Sequence, residues 1–271
     1  MKSKTEWAAQ AARNLTAVRE GQPLVHNMTN FVVMNFTANI LLAVGASPVM
    51  AHAENEVDEM VACAKALVLN IGTLDNVWIA AMLKAAKRAT ELGVPVILDP
   101  VGAGATTLRT ETAHRILAET RVSLVRGNAS EIMALGGAVA KTKGVDSADN
   151  VAEAAERAVG LARELGVPVA MTGPVDYITD GRRQIQVANG HPLMESVTGT
   201  GCAATALIGA FAGVDADPVS AATTALAVWS LAGERAAEGG PGPGTFMIQL
   251  IDAVYALTED AVLQGVRIQE E

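Results

Sequence analysis

Aromatic side chains are scarce here: Phe, Trp and Tyr make up 3% of 271 residues. Ala, Val, Leu and Ile must fill the core, and they carry most of a 50% hydrophobic content that suits helices packed closely on a sheet. Cys63 and Cys202 are the only cysteines, too few for a disulfide framework and without metal-ligand spacing. Positive charge is in deficit, 20 Lys and Arg against 29 Asp and Glu for a net charge of -9, which leaves no footprint for nucleic acid or anionic lipid. No run reaches the ~18 uncharged apolar residues of a membrane span. The longest candidate, FVVMNFTANILLAVGA, is broken by Asn35, Thr37 and Asn39 and reads as a buried helix. The N-terminal MKSKTEWAAQAARNLTAVREG is charged throughout and lacks the apolar centre of a signal peptide. These absences together lead us to expect a cytoplasmic protein without nucleic-acid or membrane partners.

What is present is alternation. Apolar β-rich runs at 66–72, 95–102, 123–128 and 168–173 are separated by helical patterns at 76–93, 106–120 and 150–166. The first and last of these helices end in Glu-Leu-Gly followed by Val-Pro, a helix stop and then an extended start. This pattern predicts βαβ units and a mostly parallel sheet with helices on both faces. Residues 176–190 read as a hairpin turning at Asp180-Gly181. Only helices are expected after it, starting near Gly201, at Pro218 with Asp217 as N-cap, and near Thr245. With no low-complexity linker or internal repeat, the expectation is one α/β domain over residues 1–271 with a helical C-terminal third.

In an open parallel sheet, ligands bind beyond the carboxyl ends of the strands, where helix N-termini also point. Asn70, Asp99, Arg126 with Asn128, and Thr172 end the four candidate strands on that edge. Asp99, before the glycine-rich PVGAGATT, is either a turn residue bonding the next amides or a carboxylate that holds Mg²⁺ near a phosphate. Asn128 and Glu131 form a capping-box pattern. Their functional reading gives Arg126 to a nucleotide phosphate and Glu131 to a metal-bound water.

The stretch VTGTGCAATA at 197–206 brings two glycines to a helix start, where unpaired amides and the macrodipole favour an anion. Its other reading is a tight helix entry with Cys202 as a small buried hydrophobe. Gly199-x-Gly201-x-x-Ala204 matches a loosened dinucleotide fingerprint, but no strand directly precedes it and no acid lies ~20 residues on. The Gly-Lys-Ser/Thr of a P-loop is absent. The loop EGGPGPGTF is either a connector or a flap over a nucleotide. A thiol hydrolase using Cys202 is the competing chemistry, with His26, His52, His114 or His191 as base.

PLVHNMTNFVVMNFTAN, LLAVGASPVM, LVLNIGTL, ILDPVGAGAT, RGNASEIMAL, the hairpin, VTGTGCA and GPGTF follow one another in an order that resembles the hydroxyethylthiazole kinase family of the ribokinase-like superfamily. The resemblance implies ATP- and Mg²⁺-dependent phosphorylation of the alcohol of hydroxyethyl-methyl-thiazole, a salvage step of thiamine synthesis. It implies that Met50 and Gly199 contact the thiazole, with Asn27 in the substrate region. It assigns Arg126 and Thr172 to ATP, and Asp99 and Glu131 to Mg²⁺ and its waters. It also implies a homotrimer with thiazole sites between subunits. Sugar kinases of this superfamily carry Gly-x-Gly-Asp, whose Asp takes the substrate's proton. Cys202 stands in that place here, as a weak base or as a small neighbour of the alcohol. Two other readings remain: a kinase of the same fold acting on a pyrimidine or pyridine alcohol, and a non-catalytic nucleotide-binding module.

Overall fold

Leu67 and Leu69 pack into one apolar layer and Val68 into another, and the same alternation recurs at Val96, Ile97 and Leu98. Such period-two burial on both faces is the mark of a covered parallel sheet. The computed structural model describes residues 1–136 and 148–271. Its elements are α1 (Lys4–Gly21), β1 (Leu24–Met28), α2 (Met34–Val44), β2 (Ser47–Val49), α3 (Val57–Cys63), β3 (Ala66–Asn70), α4 (Asn76–Leu92), β4 (Val96–Asp99), α5 (Thr107–Glu119), β5 (Leu124–Asn128), α6 (Ala129–Leu135), α7 (Ala148–Leu165) and β6 (Val169–Thr172). There follow β7 (Asp176–Thr179), β8 (Gln184–Val187), a 3₁₀ turn (Pro192–Ser196), α8 (Thr200–Ala212), α9 (Pro218–Ala236), α10 (Pro243–Ala256), α11 (Glu259–Gly265) and β9 (Ile268–Glu270).

The strands lie in the order β2-β1-β3-β4-β5-β6-β7-β8-β9, parallel from β2 to β6 and antiparallel beyond. Helices α1, α2, α8, α9 and α10 cover one face, and α3 to α7 cover the other. The expected α/β architecture therefore holds, and the helix boundaries follow local chemistry. Asp75 caps α4 by accepting from the Trp78 amide at 2.7 Å, and Gly93 ends it in the left-handed region at φ 69°. Gly166, at the second Glu-Leu-Gly stop, has φ 64°. The capping box of Asn128 and Glu131 and the Asp217 cap are both formed.

Three features depart from expectation. The strands β1 and β2 were not anticipated: β1 carries His26 and Asn27 fully inside, and β2 is a three-residue edge strand containing Pro48. Proline is tolerated at an edge, where its missing N–H breaks no ladder. The hairpin loop is longer than the Asp180-Gly181 pair, because β8 starts only at Gln184 and Asp180 Oδ1 accepts from the Arg182 and Arg183 amides. The end of the chain is also not purely helical. Strand β9 pairs with β8 and closes the antiparallel edge.

Helix α8 meets the sheet at Gly209, where an added Cβ lies 2.6 Å from Val68 Cγ2 and 3.2 Å from Val25 Cγ1. Gly209→Ala is expected to lower stability by about 1–3 kcal/mol through overpacking. Val68→Ala in the same chain should recover part of that loss, as a double-mutant cycle in urea will measure.

Candidate active site

The two-residue period that builds the core also sorts the polar residues at the strand ends. Asn70 shares its face with Val68, Asp99 with Ile97, Arg126 with Leu124 and Thr172 with Ala170, which is the face covered by α8. Neighbouring strands stay in step, with Asn70 opposite Asp99 and Asn128 opposite Thr172. Four residues far apart in sequence thus gather beneath the N-terminus of one helix.

Asp99 is fully buried. Its Oδ2 accepts from Asn70 Nδ2 and from Thr205 Oγ1, each at 2.8 Å, and lies 3.9 Å from Arg126 Nη1. Its Oδ1 is buried without a partner. Burial pushes its pKa up to about 6, with Arg126 pulling the other way and the Glu131 charge adding to the rise. Asn70 is held in turn by Asn30, whose Nδ2 donates to Asn70 Oδ1 at 2.9 Å and to Cys202 Sγ at 3.4 Å. A chain of amides therefore runs from the thiol to the buried carboxylate.

On the other side, Arg126 Nη2 donates to Thr172 Oγ1, and the guanidinium packs against Gly201 at the start of α8. An added Cβ on Gly201 comes within 2.9 Å of Arg126 Nη1, so no other residue fits there without displacing the arginine. Arg126, Thr172, Asp176, Gly201, His191 and Trp229 help line a cleft of about 510 Å³. Residues 238–245 do not line it. Asp176, buried in its wall, accepts from the Gly173 amide at 3.1 Å. Burial raises its pKa to about 7 against the pull of that amide and of Arg126.

Helix α8 begins behind Gly199, which has φ 90° and whose missing side chain leaves room for Val33 and Phe36. The first intrahelical bond runs from the Ala203 amide to the Gly199 carbonyl at 2.8 Å, so the Thr200, Gly201 and Cys202 amides precede the helical ladder. Burial and the Asp99 charge raise the Cys202 thiol to about 11 despite its place at a helix start. No histidine bonds to Cys202 among the described residues. His26 bonds the Ala51 carbonyl, His191 caps the 3₁₀ turn, and His52 and His114 are exposed. The arrangement a thiol hydrolase needs is therefore not formed.

Glu131 accepts from the Gly102 amide through Oε1 and from the Asn128 amide through Oε2, both at 2.9 Å. It fastens the loop after β4 to the start of α6. Arg109 fastens the same loop from α5, donating to the Val101 carbonyl at 3.2 Å and to the Gly72 carbonyl at 2.7 Å. Asp99, Arg126, Thr172, Gly199 and Cys202 are brought together around α8. Met50 and Asn27 are not bonded into that group: Met50 follows β2, and Asn27 donates to Thr37 at 3.3 Å. Asn30, Thr205, Arg109 and Asp176 are site residues that the strand-end reading passed over. A signal for Thr205 existed, because Gly201, Thr205 and Gly209 recur four residues apart on one face of α8.

Residues 15–260 match the model of the hydroxyethylthiazole kinase family. The chain is 60% identical over 260 residues to the hydroxyethylthiazole kinase of Desulfotalea psychrophila, covering 96% of this chain and 95% of that protein. A solved structure of the hydroxyethylthiazole kinase protein from Pyrococcus horikoshii OT3 is 48% identical and superposes with a TM-score of 0.90, covering 96% of this chain and 98% of that one. A ribokinase-like superfamily protein from Enterococcus faecalis shares the fold at 13% identity and a TM-score of 0.59, over 94% of this chain and 84% of that one.

The buried carboxylate predicts a stability profile. The folded-state pKa of Asp99 lies above the ordinary carboxylate value of 3.8, so the ionised form burdens the folded state above about pH 6. As pH falls from 6 toward 3.8, the folded protein takes up this proton before the unfolded chain does, and the cost disappears. Asp99→Asn should therefore be about 1–3 kcal/mol more stable than the native protein at pH 8 and equal to it near pH 4. Urea titrations across this range will test the sign.

Proposed function

The chain belongs to the hydroxyethylthiazole kinase family, and on that premise we propose that it transfers the terminal phosphoryl group of ATP to the alcohol of a hydroxyethylthiazole. One observation carries the reading: the N-terminus of α8 stands between the Arg126–Thr172 cleft and the Asn30–Cys202–Asp99 cluster. A nucleotide in the cleft brings its phosphates to Arg126 and Thr172, and an alcohol approaches from the Cys202 side. The Thr200, Gly201 and Cys202 amides then surround the phosphoryl group in transfer and stabilise the charge that develops on its oxygens. The alcohol oxygen forms its bond to the terminal phosphorus as the bond to the bridging oxygen of ADP breaks, and the alcohol's proton passes late to an oxygen of the transferred phosphoryl group and from there to water.

This transition state asks chiefly for positioning and charge stabilisation. A thiol raised to about 11 is protonated at neutral pH, so we assign Cys202 to packing against the alcohol rather than to removing its proton. We place the bare backbone of Gly199, against which Val33 packs, beside the substrate's ring. In our reading Met50 and Asn27 belong to the substrate end, since both follow or occupy strands β2 and β1 beside Asn30.

Among the described residues, no cluster of three or more His, Cys, Asp and Glu is arranged to hold a metal unaided. Mg²⁺ needs no such cluster, being commonly held by one or two carboxylates together with substrate phosphates. The unpartnered Asp99 Oδ1 is a suitable oxygen, and Glu131, with both oxygens bonded to amides, is better suited to a water in the ion's shell. Held there, the ion would neutralise phosphate charge during transfer.

We further propose a homotrimer in which a neighbouring subunit completes the thiazole pocket. Phe31 and Val32, 59% and 67% exposed, leave apolar surface beside Asn30 that a neighbour can cover. We assign the reaction to the cytoplasm, where its proposed co-substrate ATP is available; among the described residues no helix is long and apolar enough to cross a membrane.

A coupled assay of ADP release with thiazole, pyrimidine and pyridine alcohols tests the reading. Turnover should be fastest with hydroxyethylthiazole; ATP binding without ADP release on any alcohol would overturn it. Arg126→Ala should raise the KM for ATP roughly 10–100-fold, as loss of a charge-assisted bond predicts, and change the KM for the alcohol little. Cys202→Ala should keep kcat within about tenfold, since the helix-start amides remain. Steady-state kinetics in both substrates will measure both.

A further inference from the structure

We infer that His26 is a positioning residue that seats Met50 at the alcohol-binding end of the site, an inference that rests on the reading above in which Met50 touches the alcohol. The ladder between β1 and β2 ends at the His26–Val49 pair. Backbone bonds of the sheet therefore give out one residue before Met50, and side chains must hold the chain beyond that point.

His26 does so from within the sheet. Its ring is fully buried, and Nε2 lies 2.6 Å from the carbonyl oxygen of Ala51. A carbonyl can only accept, so Nε2 carries the proton and Nδ1 is a bare acceptor. Nδ1 is buried and has no partner. An imidazole that leaves one nitrogen unpaired is a poor filler of apolar space, because an aliphatic side chain leaves no polar atom unsatisfied. The bond to Ala51 is what this ring contributes that an aliphatic residue cannot. Burial lowers the ring's pKa, against smaller raising effects from the Ala51 bond and the Glu56 charge, which favours the neutral donor.

A second support lies on the outer side. His52 Nδ1 is 3.3 Å from the Met50 carbonyl, and its ring lies 4.4 Å from that of Trp78, which also meets Phe31 at 5.0 Å. The segment from Met50 to His52 thus rests on Trp78 while His26 ties it to a strand next to β3. Asn30 and Phe31, on the loop after β1, share this rim, with the Phe31 amide donating to Thr73 at 3.1 Å. The substrate end is therefore a set of loops whose position depends on side-chain bonds, and His26 is a fully buried member of that set.

The test compares His26→Leu, His26→Gln and Met50→Ala by steady-state kinetics in both substrates and by hydrogen exchange across residues 47–56. His26→Leu should raise the KM for the thiazole alcohol by about tenfold, a displaced contact's worth, with the KM for ATP and kcat within about threefold. Exchange at residues 50–53 should quicken by a similar factor. His26→Gln, which can place an amide N–H near the same carbonyl, should restore both readouts toward the native values. If Met50→Ala raises the alcohol KM and His26→Leu, folded by its melting curve, leaves it unchanged, the role of His26 is overturned and that of Met50 stands. If Met50→Ala itself leaves that KM unchanged, Met50 does not touch the alcohol and the inference falls with that reading. A loss of both ATP and alcohol affinity in His26→Leu that His26→Gln does not rescue would reduce His26 to a general structural residue.

Discussion

The approach of α8 to the sheet is the constraint on which the site depends. Along one face of this helix Gly201 meets the Arg126 guanidinium, Thr205 donates to Asp99, and Gly209 rests on Val68 and Val25. The four-residue spacing makes these three positions successive contacts of one helical ridge. The close contact at Gly209, at the far end from the site, sets how near the helix can lie to the sheet. That in turn brings the Thr205 hydroxyl to 2.8 Å from the buried carboxylate. Packing and chemistry are therefore carried by the same residues, and a bulky side chain at any of the three positions moves the helix start.

Charge is distributed so that each buried group answers another. Asp99 is buried with two neutral donors and one arginine at 3.9 Å, an arrangement that leaves one oxygen unpaired. A buried acceptor without a partner carries a desolvation cost, and a phosphate-bound cation would remove it. Arg126 lies between that carboxylate and the cleft, with Thr172 fixing its orientation. The same acid keeps the Cys202 thiol protonated by its charge, together with burial. A helix start alone would lower a thiol's pKa; here the surroundings outweigh it, which favours a phosphoryl-transfer role for the loop amides over nucleophilic chemistry at sulfur.

In the proposed reading, the parts of the site that take the two substrates are built differently. The nucleotide end rests on central strands β5, β6 and β7, held by ladders on both sides. The alcohol end lies over β1 and the three-residue edge strand β2, where side-chain bonds replace ladder bonds. That reading places specificity for the alcohol in loops and leaves phosphate chemistry on the rigid part of the sheet.

Much of this was legible in the amino-acid order, and for physical reasons. Alternating apolar runs and Glu-Leu-Gly stops specify strand, helix and turn through local sterics, so the parallel core and the ends of α4 and α7 could be read from neighbours in sequence. The polar strand ends at Asn70, Asp99, Arg126 and Thr172 could be read because they interrupt apolar runs. Strand β1 was hidden by the buried His26 and Asn27, and β2 and β9 by their three-residue length, since each is stabilised by pairing with a distant segment rather than by its own pattern. Only the tertiary structure decided that Asn30 reaches both Asn70 and Cys202 and that Thr205 reaches Asp99 across 106 positions. Local order determines which way a strand residue faces, but not which helix covers it. That choice belongs to packing among elements far apart in the chain, and the site was made by it.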